Sequence, residues 1–144
     1  MTRSLDPDIS PQLFEGVAFK RLLAWVIDVI IAFIIAAVLV PFTAFVAVFV
    51  WPLFFSVISF LYRALTLGLG GATWGMRIMS IELRRDTGEQ IDGITAILHT
   101  LGLIFSFMIP IIQLISIVLM ATGAKGKSLT DMALGTVMIN RAQR

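Results

Sequence analysis

Asp28 is the residue whose chemistry is hardest to ignore. It is the one charge in residues 22–62, an apolar run otherwise built of aliphatic and aromatic side chains. Counted from Leu22, it lies about 9 Å along a helix at 1.5 Å per residue. A carboxylate at that depth in a bilayer costs several kcal/mol unless it is paired or protonated. Two roles are open to it: an ion or proton site, or one half of a structural ion pair. Arg21 precedes it by seven residues, on the same helical face but roughly 10.5 Å away along the axis. A direct bond between the two is therefore strained, and Arg77 or His99 are further candidates to reach it. His99 is the only histidine and opens the third apolar segment, where it can act as a proton relay near neutral pH or as an interfacial donor.

Other motifs carry less. Thr122-Gly123-Ala124-Lys125-Gly126-Lys127-Ser128 looks like a phosphate loop, but Ala121 stands where that pattern requires glycine. An apolar helix precedes it in place of a strand. One histidine and no cysteine argue against a metal centre and exclude thiol chemistry. Neither a hydrolase elbow nor a metalloprotease helix occurs, and no cofactor is expected.

The elements that must hold these residues are membrane helices. The 144 residues are 58% hydrophobic and 14% charged, where a soluble domain carries about 25% charged residues. Mean hydropathy is +0.97. The expected solvent is lipid, and the expected class is an all-α integral membrane protein of helical hairpins. Net charge is only +2, and the basic residues are scattered. That distribution argues against a nucleic-acid surface. Residues 1–13 form a polar N-terminal tail. The first apolar stretch lies too far in for a secretory signal and is expected to remain as an anchor.

Pro41 divides the first run, giving helices over roughly 19–40 and 43–66, with Pro52 kinking the second. Gly68, Gly70 and Gly71 end it. Arg77–Arg84 reads as a short strand and Arg85–Glu89 as a turn. Residues 93–124 lack Asp, Glu, Lys and Arg. One straight helix of that length would measure about 48 Å, so Pro110 should split it into 93–109 and 111–123. Gly135–Asn140 reads as a strand that pairs with Ile78–Leu83, because an isolated strand near a bilayer leaves its backbone unpaired.

The eleven Lys and Arg residues fall in three segments: Arg3, Lys20 and Arg21; Arg63, Arg77, Arg84 and Arg85; Lys125, Lys127, Arg141 and Arg144. Four passes place all three on the cytoplasmic side, whereas three passes, the alternative, put the tail outside. The N-terminus and the small β element are expected to be cytoplasmic, in the inner (plasma) membrane.

Arg21 with Trp25-Val26-Ile27-Asp28, then Thr73-Trp74-Gly75-Met76-Arg77, then Thr130-Asp131-Met132-Ala133-Leu134-Gly135-Thr136, resemble in order and spacing the RDD family of small multi-pass membrane proteins. The resemblance covers residues 14–140. It departs where the family carries Pro and Lys, here Trp74 and Met76, and Arg, here Met132; His99 replaces the Arg that often opens the third segment. The resemblance implies a membrane domain and a role in cation/proton or small-solute transport. The rival reading is a non-catalytic accessory or assembly subunit of a larger membrane complex; neither is an enzyme. It also sets Arg21, Asp28, Arg77 and Asp131 as one charge cluster, with Asp28 facing inward. Four helices enclose little volume, so a homo-oligomer or larger complex is expected in the bilayer.

Overall fold

The structure, a computed structural model, describes residues 6–141. Arg3, Arg144 and the first five residues of the polar tail lie outside the described residues. Gly16, in the left-handed region at φ 66°, turns the chain from the polar tail into helix α1, Val17–Leu39. One stripe of α1 is small and buried: Ala24, Asp28, Ala32 and Ala36, spaced four apart. Small residues let neighbouring helices approach closely, which is how helices associate in lipid. The opposite face, with Ile30, Phe33, Ile34 and Val38, is exposed.

The reversal after α1 is longer than Pro41 alone suggests. A 3-10 turn over Val40–Thr43 is followed by left-handed Ala44 and Phe45 and by the short helix α2, Val46–Phe49. Helix α3 then runs Trp51–Gly70. It starts later than the expected 43, and Pro52 lies in its first turn instead of kinking its middle. The missing proline N–H has no helical partner to lose there. Trp51 packs against Phe33 and Phe55, with ring centroids 5.5 Å and 6.0 Å away, tying α1 to α3 at this end.

Gly71, at φ 71°, closes α3 through an N–H bond to Leu67 O. Thr73 then caps a helix, α4 (Trp74–Ile78), by accepting from the Met76 N–H. The expected strand over Arg77–Arg84 is thus corrected at its start: Arg77 and Ile78 are helical, and β1 is Ile81–Arg85. A two-stranded antiparallel sheet joins β1 to β2, Thr136–Asn140, in the register Ile81 to Asn140 and Arg85 to Thr136. The expected pairing of these two segments holds.

Asp92 caps α5, Gly93–Met108, and α6 follows over Pro110–Thr122. The split at Pro110 is as expected, but the two helices bend by 116° at the break. At 1.5 Å per residue the arms reach about 24 Å and 20 Å, short of a core about 30 Å thick. Among the described residues, two helical segments, Pro11–Thr43 and Trp51–Gly70, are long and apolar enough to cross a membrane, or up to three with the bent pair as one span. That is the count where four passes were expected.

Even so, α6 returns the chain to the end it left. The six-residue helix α7, Leu129–Leu134, leads through Gly135 at φ 66° into β2. Lys20 Nζ donates to Asn140 Oδ1 at 2.7 Å, and Asn140 Nδ2 donates to the carbonyls of Gln12 and Glu15. Lys127 pairs with Asp86 at 2.6 Å. The start of α1, the sheet and the tail therefore gather at one end. Single cysteines at Thr87 (sheet end) and Phe42 (opposite end) are expected to react with an impermeant maleimide from opposite sides of the membrane. Labelling of both from one side would refute this arrangement.

Candidate functional site

Two buried carboxylates, Asp28 and Asp131, hold the groups expected in one cluster, and they do so separately; Glu82, also buried, pairs with Arg84 within β1. Asp28 is buried between α1, α3 and α4. The Tyr62 hydroxyl donates to its Oδ1 at 2.8 Å, the Gly75 N–H to the same oxygen at 2.9 Å, and the Thr73 hydroxyl to Oδ2 at 2.6 Å. Thr73 uses its oxygen twice, since it also accepts from the Met76 N–H at the start of α4. Gly75 is where it is because α4 lies directly on α1. A Cβ there would fall on the Ala24 carbonyl oxygen and crowd the Asp28 carboxylate.

Asp131 is fully buried. Arg21 Nη1 donates to its Oδ2 at 2.6 Å and the Ser128 N–H to the same oxygen at 3.1 Å. Thr136 Oγ1 donates to Oδ1 at 3.0 Å, and His99 Nε2 lies 2.8 Å from it. Ser128 and Asp131 form a capping box that starts α7. Burial by itself would push the Asp131 carboxyl up. The Arg21 guanidinium and the His99 contact outweigh it and hold the group well below the ordinary carboxylate range. Asp131 is thus ionised and accepts from His99 Nε2; in the neutral ring Nδ1 is then the acceptor nitrogen. Nδ1 is buried without a partner among the described residues.

Arg63, on α3, differs from Arg21. Its Nη1 stands 3.5 Å from Asp28 Oδ2, beyond ordinary N–H···O length. Its Nε is buried with no partner among the described residues. Arg21, by contrast, donates to Asp131 and also to the Gly126 carbonyl at 3.1 Å.

Two cavities flank these centres. One, of about 380 Å³, is lined by Asp28, Ala32, Ser59 and Thr100 among others. A second, of about 580 Å³, lies under α7 and is lined by Arg21, His99, Ser106, Gln113 and Ser128 among others. Trp25, Arg63, Leu103 and Phe107 line both. Most of the α1 residues involved run along one face: Ala18, Arg21, Leu22 and Trp25 on the larger cavity, where Phe19 joins them from the side, then Trp25, Asp28, Val29 and Ala32 on the smaller. The Trp25 and Phe107 rings stack at 5.5 Å where the two meet.

The profile of the RDD family matches residues 16–135. The chain belongs to the RDD family. No curated protein and no solved structure matches it.

Within this RDD domain the expected single cluster is divided. Arg21 does meet Asp131, and His99 joins them. Asp28 faces inward as expected, but neither Arg21 nor Arg77 is its partner; Arg63 is the cation beside it. Arg77 is corrected out of the cluster: it is exposed, and its guanidinium lies against Gly70. Capping by Thr73 turns α4 so that Gly75, not Arg77, faces α1. Tyr62, Arg63, Thr73, Gly75, Ser128 and Thr136 were not expected at the two centres. Arg63 had a visible signal, a cation inside the second apolar helix. The others become visible only when distant elements are placed together.

Proposed function

We propose that this RDD-family protein is a small-solute transport unit of the inner membrane and performs no enzymatic chemistry. The observation that carries this is the pair of cavities along α1, which share Trp25, Arg63, Leu103 and Phe107 as walls, with the Trp25 and Phe107 rings stacked on each other. In this reading the rings are the gate and α5–α6 is a re-entrant hairpin. The sheet end faces the cytoplasm, because the described basic residues concentrate there. Small polar solutes fit the geometry better than cation exchange at the two acids. Asp28 and Asp131 each accept from several fixed donors, so neither is free to bind a cation or shuttle a proton. A proton-coupled step would fall to His99, whose Nδ1 has no partner among the described residues.

The same saturation favours a second reading, an accessory subunit in which both acids only fasten elements together. Purified protein in liposomes distinguishes the two. Solute-dependent swelling is measured for a panel of small neutral, anionic and cationic solutes, with an internal pH dye. Protein-dependent flux of at least one small solute, increased several-fold by Trp25→Ala, is expected. Absence of flux for every solute, with folded protein that purifies from native membranes in a fixed larger complex, would overturn transport and establish the accessory role.

A further inference from the structure

Arg63 is a cation without an adequate acceptor. An arginine offers five N–H donors, and in a bilayer each unsatisfied one is costly; the Arg63 side chain is only 12% exposed. Asp28 does not fill the need: its two oxygens are already engaged by Tyr62, Thr73 and Gly75, and the ion pair to Arg63 is long. Arg63 lines the larger cavity together with His99. His99 Nδ1 is buried without a partner among the described residues, and in the neutral ring, with Nε2 donating to Asp131, it is an acceptor. The cavity thus presents an anion-seeking fork and a hydroxyl-seeking acceptor at once.

Much of the remaining wall is apolar, with Leu22, Trp25, Leu103, Phe107 and Met120, and Arg21, Ser106, Gln113 and Ser128 add polar groups beside them. Its α1 rim is lipid-facing, Phe19 being 65% and Leu22 56% exposed. A volume of about 580 Å³ falls within the range of small-molecule pockets, about 300–1,000 Å³. Helix α1 packs on α3 and α4, while α6 packs on α5 and α7; the cavity occupies the space left between them.

We propose that this cavity binds a phosphate ester bearing a neighbouring hydroxyl, the phosphate on Arg63 and the hydroxyl donating to His99 Nδ1. The lipid-facing rim leaves room for an acyl chain, so the head of an anionic phospholipid and a soluble glycerol phosphate are two sources of one chemistry. This names the ligand class of the path proposed above and rests on that reading only for turnover; binding is measured without flux.

The test is native mass spectrometry of the detergent-purified chain with three probes: phosphatidylglycerol, phosphatidylcholine and glycerol 3-phosphate. At least tenfold tighter binding of phosphatidylglycerol than of phosphatidylcholine is expected, and Arg63→Gln should remove that preference. Binding of glycerol 3-phosphate at comparable affinity supports the site with a soluble ligand; its absence supports the lipid source. Should Arg63→Gln not fold, Leu103→Trp, which fills the cavity and leaves the charges in place, is expected to lower phosphatidylglycerol binding tenfold. Equal binding of the two lipids without glycerol 3-phosphate binding overturns the proposal. So does unchanged binding of the preferred probe in a folded Arg63→Gln or, failing that, in Leu103→Trp.

Discussion

Replacing Asp131 by Asn is expected to destabilise the protein by about 3–5 kcal/mol, the usual cost of breaking a buried pair from one side. The reason lies in what is left behind. Arg21 donates to Asp131 at 2.6 Å and His99 contacts it at 2.8 Å, while the Ser128 N–H and Thr136 hydroxyl use the same two oxygens. An amide keeps the shape and loses the charge. It also turns one oxygen into an NH2 that faces donors, so at least one bond becomes a clash of donors. Arg21→Gln removes the other side and leaves the carboxylate buried with His99 as its only possible cation. The double variant Arg21→Gln with Asp131→Asn should lose less than the two single losses added together, since no unpaired charge remains. The measurement is thermal melting in one detergent for wild type, both singles and the double. If Asp131→Asn melts within a degree of wild type, Asp131 does not hold α7 to α1 and α5, and the description of that centre is wrong.

How much of this was legible beforehand depends on how local each signal is. The inward face of Asp28 follows from the cost of a carboxylate in an apolar run, and the side chain is buried. The β1–β2 pairing was legible because the two segments alternate and an isolated strand cannot stand near lipid. The split at Pro110 was legible from length alone. The angle was not: a proline marks a break, but packing decides whether the arms continue or double back, here by 116°. Partners across the fold were least legible. Arg77 was expected at Asp28 because it is a cation in the right motif, yet Thr73 caps α4 and turns that motif so that a backbone N–H and a hydroxyl reach the carboxylate. Arg63 was counted with the charges that orient the chain, although it lies inside α3, seven residues before its end. Sequence position alone does not separate an exposed orienting arginine from one drawn into the fold with an unfilled donor; its packing does.

The middle motif supplies the sharpest test of how the Asp28 centre is built. Thr73 and Gly75 are the two residues of that motif that touch Asp28, and Gly75 has a steric reason as well as a hydrogen-bonding one. A Cβ at Gly75 would meet the Ala24 carbonyl, which is helical backbone and cannot swing aside, and would come within 2.7 Å of Asp28 Oδ1. Gly75→Ala therefore pushes α4 off α1. Overpacking of this kind costs about 1–3 kcal/mol, and losing a hydrogen bond to a charged group adds about 1.5–3 kcal/mol. The expected total is roughly 3–5 kcal/mol, allowing for partial relaxation. Helix propensity acts in the opposite direction, because alanine is the better helix former by about 1 kcal/mol. Gly93→Ala is the control. It lies in the first turn of α5 with nothing within 4 Å of the added methyl, so it should be neutral or slightly stabilising. Both variants should be melted in the same detergent beside Thr73→Val, which removes the hydroxyl donor but leaves the approach of α4 to α1 unobstructed. The expected order of stability is Gly93→Ala at or above wild type, Thr73→Val lower, and Gly75→Ala lowest. A Gly75→Ala protein that melts with Gly93→Ala would show that α4 does not rest on α1 at Ala24, and the proposed arrangement of donors around Asp28 would fall with it.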